Sequence, residues 1–328
     1  MKVIRSISAL RQVSPGCVLT IGNFDGLHIG HQQVVATAAK AAAKHNVELV
    51  ALTFEPHPVA VLHPEKTPGV LTPLPLKEHL LAQLGVDCLC VLSSSVELLS
   101  LSAEDFVEKF LVRNISPLMV VEGEDFNFGY QRKGNVQRLL QMGSEKGFEV
   151  LIIDHRNVDL ADSPAMRVSS TMIRNLLESG SVRDAGLALG RPYRLIGQVR
   201  PGHGKGRQLG FPTANLSVEK QIVPGDGVYA GFVRIGDDLG ELLSAKEQIP
   251  AALSIGTART LKRNDSNRER PLLIEAHLLV DNVGELYDKW LAMDFVERLR
   301  GQMKFESENH LASQIAIDCQ KAKQQLAP

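Results

Sequence analysis

Through residue 189 the chain alternates between two hydrophobic periods, and that alternation restricts its fold more than any other feature. Runs of strand type lie at 18–21, 47–54, 87–92, 118–122 and 149–153, with helical patterns between them at 32–44, 77–84, 103–112 and 136–146. Strands separated by helices need crossover connections, which are right-handed and build a parallel sheet. The strand runs are apolar almost throughout, as burial on both faces requires. The expectation is a Rossmann-like doubly wound α/β domain. Ser102 followed by Asp105 predicts an N-terminal cap for the third helix. A last helix is expected from 169 to about 188, broken or loosened near Gly180.

Gly190-Arg191-Pro192 then punctuates the chain, and the texture changes. Short β-type runs follow at 193–199, 227–235, 251–255 and 272–280, separated by glycine, proline and charged turns, which predicts a small β-barrel or sandwich. Periodicity leaves 290–300 open between strand and helix, and 308–325 reads as a closing amphipathic helix. A length of 328 residues accommodates two domains, 1–189 and 190–328. A net charge of -1 argues against a general attraction to nucleic acid or to an anionic membrane. No run has the length of a signal peptide core or a membrane span. The four cysteines show no Cys-x-x-Cys spacing and two of them lie in an apolar run, so buried thiols in a reducing cytoplasm are expected. Self-association is left open.

The residues that carry chemistry begin at Gly22-Asn23-Phe24-Asp25-Gly26-Leu27-His28-Ile29-Gly30-His31, a strand-to-helix connection. Glycines there let the backbone approach a phosphate, and the helix start offers free N–H groups and a positive dipole end. His28 and His31 lie one turn apart, so both can face one anion, although helix capping also accounts for them. Arg167, Ser169, Ser170, Thr171 and Arg174 make a second such start: the hydroxyls suit capping, and the two arginines make the same place an anion site. Thr53-Phe54-Glu55-Pro56-His57-Pro58 and Gly123-Glu124-Asp125-Phe126-Asn127-Phe128-Gly129 each follow a strand run. In the second half, Gly202-His203-Gly204-Lys205-Gly206-Arg207 has the composition of a flexible phosphate loop, with Lys205 or Arg207 to neutralise charge. Gly210-Phe211-Pro212-Thr213-Ala214-Asn215 follows it, and Glu275 stands in an alternating run.

His-Ile-Gly-His at 28–31 resembles the nucleotidyltransferase signature, and Ser-Ser-Thr-x-x-Arg resembles that superfamily's second phosphate motif. Taken with the other motifs, the whole chain resembles the bacterial bifunctional riboflavin kinase/FMN adenylyltransferases, also called FAD synthetases. The resemblance implies that riboflavin is phosphorylated to FMN with ATP and that FMN is then adenylylated to FAD, releasing pyrophosphate. It implies catalytic roles for His28 and His31, with Gly22, Asn23, Phe24, Asp25, Gly30, Asp125, Arg167, Ser169, Ser170, Thr171 and Arg174 on ATP. In the kinase half it implies a phosphate loop at 202–207, Thr213 and Asn215 on Mg²⁺, and Glu275 as the base.

The chain departs from the family in two places. Ser254-Ile255-Gly256-Thr257-Ala258-Arg259-Thr260 replaces an Asn and a Pro of the family pattern, followed by a long charged segment at 262–270, and Leu286-Tyr287-Asp288 replaces Leu-Tyr-Gly. One alternative is therefore an FMN adenylyltransferase whose weakened kinase domain only binds flavin. A flavin-sensing regulator that binds nucleic acid is the other, disfavoured by the near-neutral charge and the lack of a recognition motif.

Overall fold

The structure is a computed structural model and describes every residue except Asp162, 203–204, 258–271, 282–283 and 328, together with the side chain of Lys205. By its internal contacts the chain divides into two units. The first comprises Met1–Asp159 with Ser163–Ser169, the second Leu160–Asp162 with Ser170–Pro328.

The first unit is built on six parallel strands: β1 (Lys2–Ile4), β2 (Val18–Ile21), β3 (Leu49–Phe54), β4 (Cys88–Leu92), β5 (Met119–Gly123) and β6 (Glu149–Ile153). Their order is β1-β4-β3-β2-β5-β6. Adjacent strand residues supply opposite cores. Leu19, Val50, Leu52, Cys88 and Cys90 pack on one face, whereas Val18, Leu49, Ala51, Leu89 and Val91 pack on the other. Two buried faces explain the unbroken apolar runs. Helix α1 (Ile29–His45) buries Val35, Ala38 and Ala42 at helical spacing, and its alanines allow a close approach to the sheet. Helices α2 (Leu74–Gln83) and α3 (Val136–Lys146) also match expected helices. The expected helix at 103–112 is α-helical only over Ala103–Asp105 and continues as a π-helix over Phe106–Val112. Its predicted cap is present, Ser102 Oγ accepting the Asp105 N–H at 3.0 Å.

The strand order turns outward in both directions from the β2/β5 boundary, and such a switch point opens a crevice at the carboxyl ends of the strands. Here the opening has a chemical signature. Ladder pairing of β2 with β5 covers only Val18–Met119 and Leu19–Val120. Farther along, the Ile21 N–H donates instead to the carboxyl of buried Glu122, at 2.5 Å. Burial pushes Glu122 well above the usual carboxylate range, opposed by that single hydrogen bond. The unfolded chain gives up this proton more readily than the folded one, so stability is full below the unfolded pKa of 4.5 and falls as pH rises toward the folded value. Glu122→Gln keeps an acceptor for Ile21. It is expected to raise stability by about 1–3 kcal/mol at pH 8 and to leave it nearly unchanged at pH 4, read from denaturant melts at the two pH values.

The second unit opens with helices α4 (Ser170–Glu178) and α5 (Val182–Leu189), with Gly180 between them at φ +80°. Of the break or loosening expected there, the structure has the break. Six antiparallel strands then close into a barrel: β7 (Tyr193–Arg200), β8 (Ala214–Ser217), β9 (Gly227–Gly236), β10 (Ile249–Thr257), β11 (Leu272–Leu278) and β12 (Trp290–Arg300). Their order round the barrel is β7-β8-β11-β10-β9-β12. The segment left open by periodicity is thus a strand, and by pairing with both β7 and β9 it closes the barrel. Helix α6 (Glu308–Leu326) lies against the barrel, its Cys319 and Ala322 meeting Ala230 and Ala252. Buried Asp318 of α6 receives the Arg300 guanidinium at 2.6 Å.

Candidate active sites

The glycine-rich stretch leaves β2 at the switch point in an unusual backbone conformation. Phe24, Gly26 and Leu27 all have positive φ, at 47°, 85° and 43°. For Phe and Leu this costs about 1–2 kcal/mol each, a strain that persists only where surrounding contacts enforce it. The contacts are visible. Both side chains are buried, the Asp25 carboxylate accepts the N–H groups of Leu71 and Thr72 at 3.0 and 2.9 Å, and Thr72 Oγ1 accepts the Gly26 N–H at 3.0 Å. Asp25 therefore shapes the loop from beneath. Asn23 Nδ2 meets His57 Nε2 at 3.1 Å, which brings the turn after β3 to the same place.

His28 is the N-cap of α1, its Nδ1 accepting the His31 N–H at 3.3 Å. The two imidazoles stack with centroids 3.7 Å apart and planes 14° from parallel. A Cβ on Gly30 would stand 3.2 Å from the His28 ring, so glycine there leaves room for the stack. Burial, then His28, then Lys77 hold the His31 imidazole well below its ordinary value of 6.5. Among the described residues, the buried His31 Nδ1 and Asn23 Oδ1 have no hydrogen-bond partner. Buried polar atoms are seldom left so, and their place at the start of α1 and in the loop that leads to it suits a phosphorylated ligand.

The loop after β5 lies on the other side of the switch point. Asp125 is ion-paired with Arg167, Glu124 with His155, and Arg167 also stands 4.0 Å from Glu124. The His155 hydrogen bond is the main cause that lowers the Glu124 carboxyl below its usual range. Two expected ATP residues, Asp125 and Arg167, are thus brought together, with the arginine's charge engaged by the acid. Ser169 ends the first unit, and Ser170, Thr171 and Arg174 open α4 in the second.

In the barrel, Asn215, Glu275 and Ser254 form one cross-strand row, Asn215 opposite Glu275 and Glu275 opposite Ser254. Directly opposed residues share a face. Thr213 Oγ1 donates to Glu275 Oε1 at 3.3 Å, and Gln302 Nε2 donates to Ser254 Oγ at 3.3 Å and to the Ile255 carbonyl at 2.7 Å. Gly202 and Gly206 of the expected phosphate loop stand against this row. A Cβ on Gly202 would collide with the Asn215 amide, and one on Gly206 with the Phe211 carbonyl, 3.2 Å from Thr213 Oγ1. Lys205–Gln208, which includes Arg207, is a helical turn rather than irregular loop. His203 and Gly204 lie outside the described residues, as do the Lys205 side chain and Ala258, Arg259 and Thr260 of the divergent segment. His277 Nδ1 lies 2.8 Å from the Pro212 carbonyl, bracing the turn before Thr213. Asp288 has φ +63°, a conformation glycine adopts freely, and it carries an ion pair with Arg200 at 3.1 Å.

Sequence reasoning missed Glu122, Lys77, Thr72 and Gln302. A Glu inside an apolar strand and a Lys on the apolar side of a helical pattern were the available signals for the first two. Thr72 and Gln302 carried none.

A family profile described as FAD synthetase matches residues 10–172, and one described as riboflavin kinase matches 189–326. The bifunctional riboflavin kinase/FMN adenylyltransferase of Escherichia coli K12 is 34% identical over 319 residues, covering 97% of this chain and 96% of its own. The protein of that description from Pseudomonas fluorescens is also 34% identical, over 100% of this chain and 99% of its own. A crystal structure from Streptococcus pneumoniae, named as a macrolide-efflux protein, superposes with a TM-score of 0.83 at 27% identity, over 98% of this chain and 99% of its own. No helix among the described residues is long and apolar enough to cross a membrane. A glycine-rich loop with a histidine pair at the switch point, a closed barrel with its Thr213–Glu275 face, and relatives aligned end to end place the chain in the bifunctional riboflavin kinase/FMN adenylyltransferase family.

Proposed function

We propose that this chain phosphorylates riboflavin to FMN with ATP and adenylylates FMN to FAD with a second ATP, releasing pyrophosphate. One observation carries the reading. The stacked His28–His31 pair at the start of α1 and the row Asn215–Glu275–Ser254 in the barrel lie in different units, each with its own supporting contacts, which supports two phosphate-handling sites. Residues 1–189 and 190–328 are the functional division that we favour, supported by the profile matches to 10–172 and 189–326.

In adenylylation, an FMN phosphate oxygen attacks the α-phosphorus of ATP while the bond to the departing pyrophosphate breaks. No bond to the enzyme is needed, so the protein's part is positioning and stabilisation of charge. The N–H groups at the start of α1 and the His28 and His31 rings act on the phosphates. Ser169 adds a hydroxyl at the end of the first unit. In the barrel, Glu275 takes the proton of the ribityl primary hydroxyl as its oxygen attacks the γ-phosphorus and ADP leaves. Thr213 Oγ1 keeps the carboxylate oriented.

The donor set also fits Mg²⁺. Thr213 and Asn215 present neutral oxygens beside one carboxylate, and the described residues contain no cluster of three acidic, histidine or cysteine ligands that would make an all-protein cage. A hard cation that keeps water and phosphate oxygens suits such a face. Held by Thr213 and Asn215, it would neutralise phosphate charge. Buried, unpaired Cys17, Cys88, Cys90 and Cys319 favour the reducing cytoplasm.

Incubation of the purified chain with riboflavin, ATP and Mg²⁺, followed by chromatography of the flavins, should give FMN and then FAD. Conversion of supplied FMN but never of riboflavin would favour an adenylyltransferase with a flavin-binding barrel.

A further inference from the structure

Lys77 lies in the first turn of α2 and is 4% exposed. Lysine is among the residues least often buried, and a buried ammonium persists only with compensating partners. Its partners come from the adenylyl-transfer motifs. Asp25 of the glycine-rich loop and Glu55 of the turn after β3 oppose the burial that pulls the ammonium below its ordinary 10.5. Lys77 in turn discourages protonation of His31. Covalent continuity reinforces the link. Asp25 holds the backbone of Leu71 and Thr72, Thr72 holds Gly26, and the chain then runs directly into α2 and Lys77. The groups acting on this charge are therefore Asp25 and Glu55, with His31 and its stacked neighbour His28 on α1.

We propose that Lys77 is a positioning residue for FMN adenylylation, a buried positive charge shared by Asp25 and Glu55 that fixes the glycine-rich loop and stands beside His31. The inference rests on the reading of the first unit as the adenylylation site. The strained Phe24 and Leu27 are held by Asp25, whose carboxylate accepts two backbone N–H groups, and that carboxylate and the buried ammonium act on each other. A cation next to His31 also keeps that ring neutral, with its second nitrogen available to a phosphate.

The test is a pH profile of FAD formation from FMN and ATP, with riboflavin phosphorylation by the same polypeptide as the control for folding. Lys77→Met is expected to lower kcat by about tenfold to a hundredfold and to leave riboflavin phosphorylation unchanged. In Lys77→Arg, whose charge does not titrate, part of the rate should return and the alkaline limb should disappear. Glu55→Gln, at an exposed position where folding is not threatened, removes a group that supports the ammonium and should move the alkaline limb to lower pH. Alkaline limbs of Lys77→Arg and Glu55→Gln superposing on the wild type would overturn the proposal. So would a loss in Lys77→Met that arginine does not rescue. Absence of FAD formation by the wild type would instead remove the underlying assignment of the site.

Discussion

Replacing both His28 and His31 should abolish FAD formation, by about a thousandfold or more, while FMN formation from riboflavin continues at the wild-type rate. The choice of substitution decides what this result means. His28 is a structural cap as well as a site residue, because its Nδ1 accepts the His31 N–H. Alanine at 28 would therefore also cost about 1 kcal/mol of helix stability, and a loss of activity would have two explanations. Asparagine is a strong N-cap with its own acceptor, so His28→Asn retains the start of α1 while removing the stacked imidazole. At 31, His31→Asn removes the partnerless Nδ1. The double asparagine variant should unfold at nearly the wild-type temperature, phosphorylate riboflavin normally and make no FAD. Equal loss of both products in the folded variant would defeat the two-site assignment. The single variants separate the stack from its members. Because the rings are 3.7 Å apart, removing His28 also lifts one of the influences that keep His31 neutral. The acid limb of FAD formation in His28→Asn should then move toward higher pH.

How much of this was legible before the structure depends on where each signal resides. Strand β6 and helix α3 fall on their expected residues because each is bounded by its own cues, such as Asn135 capping Val136 and Gly147 ending the helix at φ +83°. Strand β1 was missed because three residues at a sheet edge carry no period of their own. The state of 290–300 could not be read locally either. It is a strand because β7 and β9 pair with it on both sides, a fact of closure and not of composition. The same limit applies to the sites. The glycines and histidines of 22–31 announce phosphate chemistry by themselves. Their supports, Thr72 and Lys77, come from a segment outside the glycine-rich motif, and the one local sign of Lys77 was its place on the apolar side of a helical pattern. The pairing of Asp125 with Arg167 likewise joins two recognised motifs through a hairpin, Asn157–Leu160 with Ser163–Arg167, that the hydrophobic pattern did not reveal.

Glu275→Gln should divide the two activities in the opposite sense, lowering riboflavin phosphorylation by about 10²–10⁴-fold and leaving the conversion of supplied FMN to FAD intact. The local structure makes this a clean substitution. Glutamine keeps an oxygen to accept the Thr213 hydroxyl, and strand β11 keeps its register with Asn215 and Ser254 on either side. What is lost is the capacity to take a proton. A base acting on the attacking hydroxyl predicts that kcat falls while KM for riboflavin stays close to the wild-type value, since the hydroxyl is bound in both enzymes. Unchanged phosphorylation in Glu275→Gln would show that the carboxylate is only a wet-face strand residue. The divergent Ser254 is tested on the same row. Gln302 donates to Ser254 Oγ and to the Ile255 carbonyl, so serine at 254 is already built into the supports of the Glu275 face. Ser254→Asn, which restores the family residue opposite Glu275, must displace that donor to fit its larger amide. If the barrel is a working kinase adapted to serine, this reversion lowers riboflavin phosphorylation. If the kinase half is a weakened flavin binder, the reversion raises it, and the direction of that single change decides between the two.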